Sequence, residues 1–87
     1  METKREKIQN EINSINRRHF ADTGITLNMY RANDGLVIDG IVHTPGDQTS
    51  TFVLGHQLSV KEAGQIVMAV NHFLCAQEFR KKSLAQM

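Results

Sequence analysis

The stretch from Ser59 to Lys82, SVKEAGQIVMAVNHFLCAQEFRKK, decides the fold. Ser59-Val60-Lys61-Glu62 has the spacing of a capping box, in which the serine hydroxyl and the glutamate carboxylate satisfy two free amides at a helix start. Leu58 precedes it, placed for a hydrophobic staple against Ala63. Apolar residues then recur at Ala63, Ile66, Val67, Val70, Phe73 and Leu74. They cover about 120° of one helix face, the width that packs on a sheet. Arg80, Lys81 and Lys82 follow, where the negative end of a helix dipole favours cations. The pattern predicts a helix over about 60–82. A second line, Met68, His72, Cys75 and Phe79, lies nearly opposite the first, with Gly64, Asn71 and Glu78 in one gap between them. One sheet cannot cover both lines.

Working back from this helix, Thr51 to His56 reads as a strand whose Phe52-Val53-Leu54 run does not reveal the buried face. Residues 47–50 are polar and read as loop. Thr44-Pro45-Gly46-Asp47 is a type II turn signature, with proline and then glycine in the centre. Ile25 to Arg31 alternates apolar and polar with the period of a half-buried strand. Asp34-Gly35 then signals a tight hairpin, with strands over about 25–32 and 36–44. A two-residue Asp34-Gly35 loop pairs Leu27 with Val42, Met29 with Gly40 and Arg31 with Ile38. That register puts Ile25, Leu27, Met29, Ile38 and Val42 on one face, with Gly40 leaving room for Met29.

At the other end of the chain, Thr3-Lys4-Arg5-Glu6 fits another capping box. Ile8, Ile12, Ile15 and His19 then form one narrow stripe on a polar helix. Gly24, with Ile25 reaching back to Phe20, is the expected stop, giving a helix over about 4–23. The expected fold is α+β in the order α-β-β-β-α: a three-stranded antiparallel meander packed by an N-terminal and a long C-terminal helix. The isoleucine stripe is the expected cover for Met68 and Phe79, from the same chain or from a second copy.

The 87 residues leave room for one small core, so a single small domain over 1–87 is expected and oligomerisation suits a core this marginal. With 40% hydrophobic and 22% charged residues, the composition is globular rather than disordered. The single cysteine excludes an intramolecular disulfide. No secretion signal and no apolar run near the roughly 20 residues of a membrane span is evident, so the expected location is cytoplasmic, with no membrane partner. The net charge of +1 is too small to steer the whole molecule to nucleic acid. Eight of the 10 basic residues lie within residues 1–18 and 80–82, however, leaving an acidic middle.

Candidate chemistry is sparse. His72-x-x-Cys75 places two zinc-type ligands one turn apart, with His19 as a third. No second ligand pair follows, and core packing explains these residues as well. Cys75 lacks an oriented base, which a nucleophile needs. His43 and His56 sit on strands that could bring them together, yet no carboxylate is placed to orient either. The glycines form no phosphate loop. Neither catalysis, a metal nor a cofactor is therefore expected.

The α-β-β-β-α order resembles the double-stranded-RNA-binding domain, and Leu54 to Leu74 is similar in rhythm to that family's third strand, capped serine and second helix. The family's lysine cluster is matched only by Lys61, beside Glu62, and its Gly-Pro-x-His loop is replaced by Asp34-Gly35. No functional residue carries over. Arg17, Arg18, Arg80, Lys81 and Lys82 remain as candidate phosphate contacts for a small nucleic-acid-binding protein, the alternative reading.

The favoured expectation is a non-catalytic protein-binding regulator or inhibitor of a larger complex, of the kind that phages and mobile elements encode, anti-CRISPR proteins among them. Its candidate contact or dimer surface is Met68, His72, Cys75 and Phe79, with Ile8, Ile12 and Ile15 of the first helix. A second candidate is the acidic surface of Asp34, Asp39 and Asp47.

Overall fold

A computed structural model of the chain describes residues 2–46 and 48–85, so the Asp47 end of the expected turn lies outside the described residues. Five elements follow one another: α1 (Lys4–His19), β1 (Ile25–Ala32), β2 (Gly35–Thr44), β3 (Gln48–Leu58) and α2 (Val60–Ala85). The strands form one antiparallel meander in the order β1-β2-β3. This is the α+β arrangement that the sequence pattern implies.

The α2 cap forms in full. Ser59 Oγ accepts the Glu62 N–H at 3.1 Å, and Glu62 Oε1 accepts the Ser59 N–H at 3.0 Å. The α1 cap is half of that device. Thr3 Oγ1 accepts the Glu6 N–H at 3.1 Å, but the Glu6 carboxylate takes the threonine hydroxyl, not its amide.

Helix α1 stops at His19, a turn before the expected Gly24 boundary. The Phe20 carbonyl accepts the Thr23 N–H at 3.1 Å and the Thr23 hydroxyl at 2.6 Å, while Thr23 Oγ1 accepts the Ile25 N–H at 3.1 Å. Asp22 and Gly24, at φ of 62° and 79°, turn the chain into β1. A side chain at Gly24 would put its Cβ 2.5 Å from the His43 carbonyl oxygen, so this glycine serves the junction with β2 rather than a helix stop.

In the first hairpin Ala32 pairs with Gly35, so the turn residues are Asn33 and Asp34, not Asp34 and Gly35. Neither takes a positive φ, which falls on Gly35 alone at this hairpin. Leu27 therefore pairs with Gly40 and Met29 with Ile38, two residues from the expected register. A shift of two preserves the side-chain faces, because strand side chains alternate with period two. It changes what Gly40 accommodates: a Cβ there would overlap the Phe52 ring of β3 rather than crowd Met29.

Strand β3 is longer than the expected 51–56, because the polar residues from Gln48 to Thr51 pair their backbone with Thr44 to Ile41. Its inward residue is Phe52, opposite Gly40. Two register shifts then follow, and Gln57 takes a φ of 55°. These irregularities turn Phe52, Gly55 and Leu58 inward at a spacing of three instead of two. At Gly55 an added Cβ would lie 2.9 Å from Ile66 Cδ1, which marks the close approach of α2 to this edge strand.

Both helices lie on the same sheet face and run parallel. Near their starts Gly64 lies under Ile8, and near their ends His19 Nδ1 meets Glu78 Oε1 at 3.0 Å. Ile8, Ile12 and Ile15 of α1 share one core with Leu27, Met29, Leu36, Ile38, Ala63 and Val67. Asn16, on the inner side of α1, also bonds the edge strand β1. Its Nδ2 donates to the Leu27 carbonyl at 3.0 Å and its Oδ1 accepts the Leu27 N–H at 2.9 Å. The amide thus takes the place of a neighbouring strand. The 26 residues of α2 extend about 39 Å and overrun the sheet, giving a radius of gyration of 14.5 Å where a compact chain of this length has about 12 Å.

Candidate functional site

The position of α1 decides which part of α2 stays exposed. Gly64, Asn71 and Glu78 fill the gap between the two apolar lines of α2, and α1 packs into that gap through Ile8 and His19. Contrary to the expectation from the sequence, it does not cross the Met68–Phe79 line. Ile12 and Ile15 are accordingly core residues, at 0% and 1% exposure, and offer no surface to a partner, while Ile8, at 9%, belongs to the same core and keeps only a margin at the foot of the helix seam. The reason is geometric: helices laid parallel on one sheet face share a single layer beneath them, and a narrow stripe reaches only that layer.

Met68 and Phe79 stand 61% and 73% exposed, and His72 and Cys75 between them are exposed too. Beside this line an open groove follows the seam between the helices. Near the helix starts its floor is Ile8, Val60 and Met68, its rim is Lys4, Lys7 and Lys61, and its volume is about 720 Å³. It continues past Gly64 into a stretch bordered by Glu11, Asn71 and His72. Gly64 keeps the floor low, because it places no side chain between the helices. The structure thus joins Met68 and His72 to three lysines that the sequence pattern did not connect with them. Only the parallel packing of α1 on α2 could have revealed that grouping.

A second apolar depression lies on the far side of α2, where Phe20, Leu27 and Phe52 meet Val70, Phe73 and Leu74. Phe73 belongs to the stripe expected to be core, yet it is 61% exposed. It sits at the margin of that stripe, about 60° from its centre, and so falls on the outer side of α2, away from α1.

The remaining candidate residues are dispersed. His19 donates from Nδ1 to Glu78, and its Nε2 is buried without a hydrogen-bond partner, so it does not join His72 and Cys75. Cys75 is exposed, with Asn71 Oδ1 4.0 Å from its Sγ. Among the described residues, no three His, Cys, Asp or Glu side chains gather as a metal site. His43 pairs with Thr49 near the second turn, while His56 lies within the β3 irregularity toward the other end of the sheet, so they do not meet. Asp34 accepts from Gln57 Nε2 at 2.9 Å in the first turn. Asp39 lies mid-strand between Asn28 and Val53, about 15 Å along β2 from Asp34. Asp47 lies outside the described residues, and the two that are described do not form one patch.

Arg17 and Arg18 close α1, and Arg80, Lys81 and Lys82 follow Glu78 on α2, so parallel packing brings all five to one end of the helix pair. Glu62 has its carboxyl held below the usual glutamate range, first by the Ser59 backbone N–H and then by the Ser59 hydroxyl. This is a capping effect at an exposed position. No helix of the described residues is long and apolar enough to cross a membrane. Comparison with family models, with curated proteins and with solved structures gave no match.

Proposed function

We propose that the chain is a non-catalytic protein-binding regulator or inhibitor, working in the cytoplasm by occupying a surface of a larger macromolecular complex. The observation that carries this reading is the uncovered line on α2, where Met68 and Phe79 project from a helix whose opposite side is committed to the core. Grouped exposed apolar residues mark contact sites, and methionine and aromatic side chains are enriched in interface cores.

Affinity purification from the native host, followed by mass spectrometry, compares the wild-type chain with Phe79→Asp. The expected result is one stoichiometric protein partner, lost on substitution while the melting temperature holds. Equal capture by the variant refutes the reading, as does unfolding of the variant, which would make Phe79 a core residue. A homodimer in sedimentation at micromolar concentration, dispersed by Phe79→Asp, would assign the surface to a second copy instead.

One observation favours a second reading as a nucleic-acid-binding protein: the gathering of Arg17, Arg18, Arg80, Lys81 and Lys82 at one end of the helix pair. Lysine and arginine clusters bind phosphates by releasing counterions, which makes the affinity fall steeply with salt. A salt-dependent mobility shift with duplex RNA or DNA supports this alternative, and no shift at low salt removes it.

A further inference from the structure

We infer that the α1–α2 groove takes an acidic amphipathic segment of a partner protein, laid with its apolar side on Ile8, Val60 and Met68 and its carboxylates on Lys4, Lys7 and Lys61. The inference rests on the protein-binding reading and adds to it the place and the chemistry of the partner. Its first support is charge. Lys4 and Lys7 lie in the first turn of α1, and Lys61 in the first turn of α2. Helix starts carry partial positive charge and disfavour cations. Three ammonium groups there, from two neighbouring helices, make an anionic occupant favourable. Two nearby carboxylates are engaged elsewhere, Glu6 with the Thr3 hydroxyl and Glu62 with Ser59. Glu11 borders the groove farther along beside Lys7 and makes no ion pair with it, so at most one carboxylate faces the three lysines.

The second support is the floor. Phosphate backbones bring no apolar surface for Ile8, Val60 and Met68 to bury, whereas an amphipathic helix lays such a face into a groove between helices. A volume of about 720 Å³ accommodates several side chains. A second copy fits less well, because groove-to-groove docking would set lysines against lysines.

Selection from an unbiased display library of 18-residue peptides tests this directly. The expected outcome is enrichment of Glu- and Asp-rich sequences with apolar residues at i, i+3, i+4 and i+7. In fluorescence anisotropy the recovered peptide should bind at least about tenfold tighter than its scrambled version. Met68→Asp and the triple change Lys4→Glu, Lys7→Glu, Lys61→Glu should each weaken it by about tenfold or more, and Phe73→Asp should leave it unchanged. Enrichment of basic or neutral peptides overturns the inference, as does no enrichment, equal binding of the scrambled peptide, or a preference for duplex RNA or anionic vesicles. A host partner lost on Phe79→Asp but kept on the Met68 and lysine changes overturns this inference and leaves the protein-binding reading standing. Loss on none of them overturns both.

Discussion

Replacing Asn16 with alanine should loosen the attachment of α1 to the sheet edge. The Asn16 side chain makes two hydrogen bonds to the Leu27 backbone, at 3.0 and 2.9 Å, in a part-buried position. Each such bond contributes about 0.5–1.5 kcal/mol net, and more where the abandoned group cannot reach water. Together they amount to about 1–3 kcal/mol. Alanine recovers about 0.6 kcal/mol through its higher helix propensity, which leaves a net loss of about 0.4–2.4 kcal/mol. For a chain of this size that lowers Tm by about 2–19 °C. Thermal unfolding followed by circular dichroism measures the shift, and amide hydrogen exchange at Leu27 locates it. Asn13→Ala is the control, since Asn13 is exposed and accepts only from Gln9 Nε2; it should leave stability unchanged or slightly raised. A shift no larger than that of the control, or an unaltered Leu27 exchange rate, would refute the reasoning.

Further substitutions probe the fold. Ile12→Ala, at a fully buried position, should cost about 2–5 kcal/mol in denaturant unfolding, whereas Phe73→Asp, at an exposed one, should stay within about 0.5 kcal/mol of wild type. Gly40→Ala would drive a methyl group into the Phe52 ring and should cost about 1–3 kcal/mol; Phe52→Leu in the same chain should restore part of it, as a double-mutant cycle would show. The lowered Glu62 ionisation has a definite sign. The folded carboxyl ionises below its unfolded counterpart, so the cap stabilises fully above the ordinary glutamate range and this contribution is lost as pH falls through the lowered value. Unfolding measured across acidic pH should show that dependence, and Glu62→Gln should remove it.

The exposed apolar face of α2 is a by-product of how a small core closes. Helix α2 has apolar side chains on two sides, but the sheet and α1 together reach only one side and the polar gap. Had α1 crossed over the outer line, Met68 and Phe79 would be core and the helix seam would carry no open groove. Parallel packing leaves the line free and sets it beside the lysines of both helix starts. The overrun of α2 beyond the sheet adds Phe79 and the basic residues after it to the accessible length.

Element order and the side-chain faces of the first hairpin were legible in the sequence because local physics sets them. Capping at Ser59, the helical period of Ala63 to Leu74 and the strand alternation from Ile25 each act over a few residues. The parity of the first hairpin was legible for the same reason, but its register was not, since a shift of two leaves every side chain on the same face. The space that Gly40 leaves for Phe52, the β3 irregularities that turn Gly55 and Leu58 inward, and the hold of Asn16 on Leu27 join residues distant in the chain. No local pattern encodes such meetings. The largest decision left to tertiary structure was where α1 lies. A helix wheel shows that α2 has two apolar lines and a gap; only packing determines which of the three a neighbouring helix takes, and hence which surface stays exposed.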